Sequence, residues 1–117
     1  MAKKIPEDVK QVCLWLVRGH ERRLQEEKTK RGEGKKERTR KRERERIEAV
    51  NLAMESVGKD IEAEEVRERL KEAVKMNVRN GREYPYEILG IDAISRADFY
   101  RRKERLLIDI AERLGLM

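Results

Sequence analysis

Apolar residues recur with the spacing of an amphipathic helix in four stretches of the chain. The first predicted helix begins at Pro6 and continues to about residue 27, and Trp15 lies off its apolar face. The second begins between Glu37 and Arg42 and ends at Gly58, because glycine suits a helix C-terminus. The predicted apolar faces comprise Ile5, Val9, Val12, Cys13, Leu16 and Leu24 in the first helix, and Ile47, Val50, Met54 and Val57 in the second.

The third predicted helix opens at Asp60, a residue type that favours the N-cap, and stops at Asn80–Gly81. Residues 82–94 contain Pro85 and Gly90, which predict a connection with one short turn at 86–89. This connection is longer than the turn of a simple helix-turn-helix. The inward face of the third helix is predicted to comprise Val66, Leu70, Ala73, Val74 and Asn77.

The fourth predicted helix runs from Ser95 to about Leu114. Ser95 is an N-cap residue type, and Asp98 three positions later complements the positive end of the helix. At 100° per residue, one side carries the apolar sector Phe99, Leu106, Leu107, Ile110 and Leu114. Arg101, Arg105 and Ala97 lie opposite, Arg102 and Lys103 flank the apolar sector, and Tyr100 is at its border.

The composition agrees with an all-α fold. Charged residues make up 46% of the chain and aromatic residues 4%, so thin apolar stripes on helices fit better than a sheet. We predict a small domain of about four helices, with a helix-turn-helix-like pair at the C-terminus and a basic linker. Its parts are an N-terminal helix at 1–27, the basic linker and helix start at 28–46, and a helical DNA-binding domain at 47–117.

The net charge of +6 is unevenly distributed. Residues 28–46 contain eleven Lys or Arg and four Glu, and Gly32 and Gly34 interrupt them. Positive charge recurs from Arg96 to Arg105, whereas residues 47–94 are net acidic. Such asymmetry favours a polyanionic partner, most plausibly nucleic acid. For 28–46 alone, a solvated linker or an exposed helix explains the pattern equally well.

Catalytic and metal-binding chemistry find little support in the sequence. Cys13 and His20 are the only cysteine and histidine, and their separation is about 10.5 Å along a helix, too far for one zinc ion. We interpret Cys13 as a small buried residue and His20 as a residue at the edge of the core. The acidic cluster at 62–68 complements a helix start rather than forming a metal site. We therefore expect no enzyme activity, no metal and no cofactor.

The longest apolar run, Val12 to Val17, is too short for a membrane span or a signal peptide. A single cysteine provides no disulfide framework. These features predict a soluble protein in the cytoplasm of a host cell, with no membrane partner.

The chain resembles RinA-like and ArpU-like phage transcriptional regulators at both ends. The ending SRADFYRRKERLLIDIAERLGLM is similar to the family's C-terminus, and IPEDVKQVCLWLVRGHERRLQE is similar to its N-terminal segment. The family is related to the helix-turn-helix of sigma-factor region 4, so the resemblance implies control of phage or prophage genes through promoter DNA. It rests on Ala111, Arg113, Leu114, Gly115 and Leu116, on Arg18, Gly19, Glu21, Arg22 and Arg23, and on Asn80–Gly81 and Tyr84–Pro85–Tyr86.

The leading hypothesis is a sequence-specific DNA-binding transcriptional regulator with 95–114 as its recognition helix. The predicted partners are double-stranded DNA and, as further candidates, RNA polymerase and a second copy of the chain. Trp15 is on the surface most suited to either protein, although an intramolecular role for it is equally plausible. The predicted DNA-binding residues are Ser95, Arg96, Ala97, Tyr100, Arg101, Arg102 and Arg105.

Two other classes of protein share this pattern. A phage DNA-packaging protein such as a small terminase subunit is also basic and helical, but it assembles into a ring. A helical adaptor directs its cations at an acidic protein and does not retard DNA at physiological salt.

Overall fold

The computed structural model describes residues 4–29, 37–80 and 94–117, and within these ranges it contains five helices and no strand. The prediction of an all-α fold is therefore confirmed. The helices, in chain order, are α1 (Glu7–Arg18), α2 (His20–Thr29), α3 (Glu37–Ser56), α4 (Glu64–Asn80) and α5 (Arg96–Arg113). The predicted turn at 86–89 and the glycines at 32 and 34 lie outside the described residues.

The sequence predicts one continuous N-terminal helix. This prediction is wrong, because the helix is interrupted at Gly19. The guanidinium of Arg23 folds back there, and its Nη1 donates to the carbonyl oxygen of Leu16 at 2.9 Å. A Cβ atom on Gly19 would lie 3.0 Å from that guanidinium, so the absence of a side chain lets Arg23 lie close against the backbone at Gly19. Arg23 also lies over the ring of Trp15, 4.3 Å from its centroid.

Helix α1 is at the centre of the fold and packs against α3, α4 and α5. Its buried sector is wider than predicted, since neighbours on several sides cover Leu14 as well as Cys13 and Leu16. Val12 was predicted to be inward and is 44% exposed, because it faces away from those neighbours. The prediction that Trp15 lies off the buried face is confirmed.

The apolar stripes predicted for α3, α4 and α5 form the rest of the core. Val50, Leu70 and Phe99 are almost completely buried, and Val66 and Leu114 pack at the edge. Three residues outside the predicted stripes are buried as well. They are the small residues Ala53 and Ala111, and Val78 near the C-terminal end of α4. Helix α5 packs mainly against α1 and α3, so earlier helices supply its scaffold rather than the preceding helix of a helix-turn-helix pair.

The predicted start of α4 at Asp60 is wrong, since the helix begins at Glu64. Gly58 has a φ of +73° and reverses the chain after α3, as predicted for its C-terminal position. The N–H of Ile61 then donates to the Gly58 carbonyl at 2.8 Å, which extends the turn. Asp60 lies in this turn, and its carboxylate points to α5.

Both ends of α5 are capped. Ser95 Oγ accepts from the backbone N–H of Asp98 at 3.1 Å, which confirms the predicted N-cap. At the other end Gly115 has a φ of +71°, and the N–H of Leu116 donates to the carbonyl of Ala111 at 2.8 Å. This is a Schellman motif, which gives a structural reason for the closing R-L-G-L residues. No described helix has an apolar stretch long enough to span a membrane.

Candidate nucleic-acid interface

Helix α5 is held firmly by its apolar side. Phe99, Leu107 and Ile110 have no exposed surface, and burial of side chains of this size contributes about 1.5–3 kcal/mol each. The Phe99 ring also meets the Tyr100 ring edge to face, with centroids 5.4 Å apart. The opposite side of α5 therefore has a fixed orientation relative to the rest of the protein.

The outward side of α5 carries three of the predicted site residues. Ala97, Arg101 and Arg105 are exposed, and one helical turn separates each from the next. Arg101 extends into solvent with 65% of its side chain exposed, and its Nη2 lies 3.8 Å from Asp98 Oδ1. Glu104 is exposed on the border of the same side. This surface thus presents two guanidinium groups beside a small residue and two carboxylates, those of Asp98 and Glu104.

Arg102 has a different environment from the one that the sequence predicted. Its Nη1 and Nη2 donate to the two carboxylate oxygens of Asp60 at 2.7 and 2.8 Å, and its Nε donates to Asp98 at 3.1 Å. Only 16% of the Arg102 side chain is exposed. Hydrogen bonds from Arg102 lower the pKa of Asp60 to about 2, and the same bonds raise the pKa of Arg102. Because its donors are engaged within the protein, we leave Arg102 out of the proposed DNA contacts.

Tyr100 lies between two cations at the edge of the core. The Arg96 guanidinium carbon is 5.9 Å from the Tyr100 ring centroid, and the Lys103 ammonium is 5.8 Å from it. The sequence predicts Lys103 at the margin of the apolar sector. In the structure, Lys103 lies within that sector and is partly buried. Burial lowers its pKa, and the charges of Lys10 and Arg18 on α1 lower it further.

Sequence reasoning missed Asp60, Lys10 and Arg18 as neighbours of α5. Asp60 is 42 residues from Arg102, and its position before a helical pattern indicated a cap instead. Lys10 and Arg18 belong to α1, and the sequence contains no local sign that α1 packs on α5. These residues become visible only when the packing of the helices is known.

His20 and Cys13 are both buried in this fold. Burial raises the pKa of the Cys13 thiol, and the side chain lies within the core. His20 is more deeply buried than the predicted edge position, and its Nε2 lies 2.8 Å from Asn51 Oδ1. In the ranges that the structure describes, no group of three or more histidine, cysteine or acidic residues could hold a metal ion.

The basic segment at 28–46 is described only in part. Its second half is the beginning of α3, where Lys41, Arg42 and Arg44 are exposed.

Comparisons of the chain with protein-family models, with curated proteins and with solved structures found no match.

Proposed function

We propose that this protein binds double-stranded DNA with α5 in the major groove and acts as a sequence-specific transcriptional regulator. The observation that carries the proposal is the outward side of α5, where Arg101 and Arg105 are exposed one turn apart on a helix whose other side is fully packed. The resemblance to phage regulators makes phage or prophage promoters the proposed targets, with RNA polymerase as a further partner.

The dimensions of α5 suit this role. An α-helix with its side chains is about 10–12 Å wide, and the major groove is about 12 Å wide. Ala97 permits close approach to the base edges, and Arg101 and Arg105 can each donate two hydrogen bonds to a guanine. The exposed cap residue Ser95 leaves the N-terminal end of α5 accessible to a phosphate, which favours that end as the part that enters the groove.

Positive charges outside α5 support DNA binding that does not depend on the base sequence. Lys41, Arg42 and Arg44 are exposed on the first turns of α3 and suit contacts with phosphate groups. Each phosphate neutralised by such a cation makes the affinity more dependent on salt. The regulator is therefore expected to bind all duplexes at low salt and to discriminate among them at higher salt.

Selection of bound sequences from a random duplex pool, followed by a salt titration of the selected duplex, tests the proposal. Arg101→Ala is expected to cost about 1–3 kcal/mol on the selected duplex and much less on a scrambled one. Arg69→Ala is the matched control, since it removes an exposed arginine from α4, where Arg69 pairs with Glu65 at 2.8 Å. Equal losses from Arg101→Ala on both duplexes would make Arg101 a phosphate contact.

The two other classes of protein give different results in simple measurements. Light scattering that finds a closed ring of many subunits favours DNA packaging, whereas a monomer or dimer supports a regulator. Failure of the intact chain to retard any duplex at physiological salt overturns the proposal and favours a protein adaptor.

A further inference from the structure

Helix α1 has an exposed apolar face on the side away from its buried side chains. Trp15 is 54% exposed, and Val12, one turn before it, is 44% exposed. Within the described ranges, no other large apolar side chain outside the last two residues is as exposed. The Arg23 guanidinium lies on the Trp15 ring, 4.3 Å from its centroid, and is itself almost completely buried. The ring is thus held in one position, which suits it to anchor an interface.

Opposite charges lie at the two ends of this apolar face. Asp8 is exposed in the first turn of α1, and Arg18 is exposed in its last turn. Neither forms an ion pair with another residue in the described part of the chain. Arg18 Nε donates to the carbonyl oxygen of Val78 at 2.9 Å, and this bond leaves the terminal nitrogens for another acceptor. The two charges complement the dipole of α1, and they also select the second helix that can lie on the face.

The spacing of the four residues makes the face complementary to itself. At a rise of about 1.5 Å per residue, Asp8 lies about 8 Å before the midpoint between Val12 and Trp15, and Arg18 lies about 7 Å after it. At about 100° per residue, all four fall within a sector of about 120°. A two-fold axis at that midpoint therefore places Asp8 of each copy opposite Arg18 of the other, with the apolar residues between the two ion pairs.

We propose that two copies of the chain associate through an antiparallel pair of α1 helices, with Val12 and Trp15 at the centre and an Asp8–Arg18 ion pair at each end. The face is a strip about 18 Å long and about 10 Å wide, which is much smaller than the roughly 800 Å² per partner of a stable complex. The dimer is therefore weak, and it forms only at high protein concentration or where two copies are held close together.

This dimer extends the proposed function without covering the DNA-binding helix. Helix α5 packs on α1 through its buried sector, and Arg101 and Arg105 are exposed on its other side. Two copies related by a two-fold axis would bind two inverted copies of one DNA site. A duplex that carries both sites raises the local concentration of the second copy, so it favours a dimer that is weak in solution.

Analytical ultracentrifugation of the intact chain at increasing concentrations, up to about 1 mM, measures the association. Trp15 is the single tryptophan, so its fluorescence should shift to shorter wavelength as the dimer forms. Val12→Gln is expected to weaken the dimer by about tenfold or more, because both copies lose a valine from the contact. Leu52→Gln is the control, since it replaces an exposed apolar residue of α3. A wild type that stays monomeric throughout, or equal effects of the two variants, would overturn the proposal.

Charge reversal tests the antiparallel arrangement. Asp8→Arg and Arg18→Glu each place like charges at both ends of the contact, so each variant alone should remain monomeric. An equimolar mixture of the two should associate as the wild type does, because both ion pairs of the mixed dimer are again oppositely charged. Circular dichroism checks that each variant is folded. Dimers of Asp8→Arg alone, or a mixture of folded variants that stays monomeric, would contradict the Asp8–Arg18 pairing.

DNA titrations distinguish a failure of this dimer from a failure of the proposed function. On a duplex with two inverted copies of the selected site, the wild type should bind cooperatively. Val12→Gln should bind a single site with wild-type affinity and lose the cooperativity. If the wild type dimerises and binds no DNA, the proposed function fails and the dimer stands. If it binds DNA, remains monomeric at every concentration and shows no cooperativity, the dimer is wrong and the proposed function stands.

Discussion

Asp60 and Arg102 join the turn after α3 to the middle of α5 through two hydrogen bonds, at 2.7 and 2.8 Å. The pairing is bidentate, with both carboxylate oxygens facing both terminal nitrogens of the guanidinium. Asp98 fixes the same guanidinium from within α5 at 3.1 Å. The rotation of α5 about its own axis, and hence the direction in which Arg101 points, is therefore linked to a loop that precedes α4.

Acid should weaken this link. The pKa of Asp60 is lowered from 3.8 to about 2 by Arg102, so its contribution to stability is present above pH 3.8 and is lost as the pH falls towards 2. Asp60→Asn should remove that part of the acid dependence. Urea unfolding at neutral pH and at several acidic values measures it, with Glu62→Gln as a control in the same loop. Identical acid profiles for Asp60→Asn and the wild type would contradict the prediction.

A second pH dependence is expected from His20. Burial lowers its pKa below the ordinary value of 6.5, so the unfolded chain takes up a proton more readily than the folded one. Stability should therefore be highest above pH 6.5 and should fall as the pH drops through the lowered value. His20→Gln retains a donor for Asn51 and should flatten the profile below pH 6.5. An unchanged slope in this variant would show that another group is responsible.

Alanine substitutions at two glycines distinguish the cost of backbone strain from the cost of steric crowding. Gly58 and Gly115 both have positive φ values, +73° and +71°, but only a Cβ on Gly58 would meet another side chain, Leu70 Cδ2 at 3.2 Å. Gly115→Ala should cost about 1–2 kcal/mol from φ alone, and Gly58→Ala should cost more. Denaturant titration of the two variants gives the difference directly. A smaller loss for Gly58→Ala would mean that Leu70 moves aside at little cost.

Glu104 should restrict which duplexes bind. Its carboxylate is exposed beside the arginine side of α5 and repels phosphate, although it can accept from cytosine. Glu104→Gln is therefore expected to strengthen binding to scrambled DNA more than to the selected duplex. Competition titrations measure the ratio of the two affinities, with Glu112→Gln as a control nearer the C-terminal end of α5. A larger gain on the selected duplex would remove Glu104 from any role in discrimination.

Helical periodicity predicted the local structure of this chain well. The stripes of α3 and α5 and the N-cap of α5 depend on neighbouring residues, and they agree with the structure. The break at Gly19 was missed because Leu16 and Leu24 keep the spacing of one continuous helix across it. The start of α4 was misplaced because Asp60 is an equally good N-cap and ion-pair residue, and only its distance from Arg102 decides between them.

The candidate interface could be predicted only on one side. The outward positions of Ala97, Arg101 and Arg105 follow from the rotation of a single helix, which the sequence determines. The environments of Arg102 and Lys103 depend on which helices cover them. No spacing rule links α1 or the turn after α3 to α5, so those contacts required the structure.

The central position of α1 has a consequence for the order of folding. Its buried side chains, Cys13, Leu14 and Leu16, belong to the same core cluster as Phe99 and Ile110 of α5, with α2, α3 and α4 between them in the chain. Closing so long a loop costs conformational entropy before the core repays it. During synthesis, part of the apolar surface of α1 therefore remains uncovered until α5 has left the ribosome.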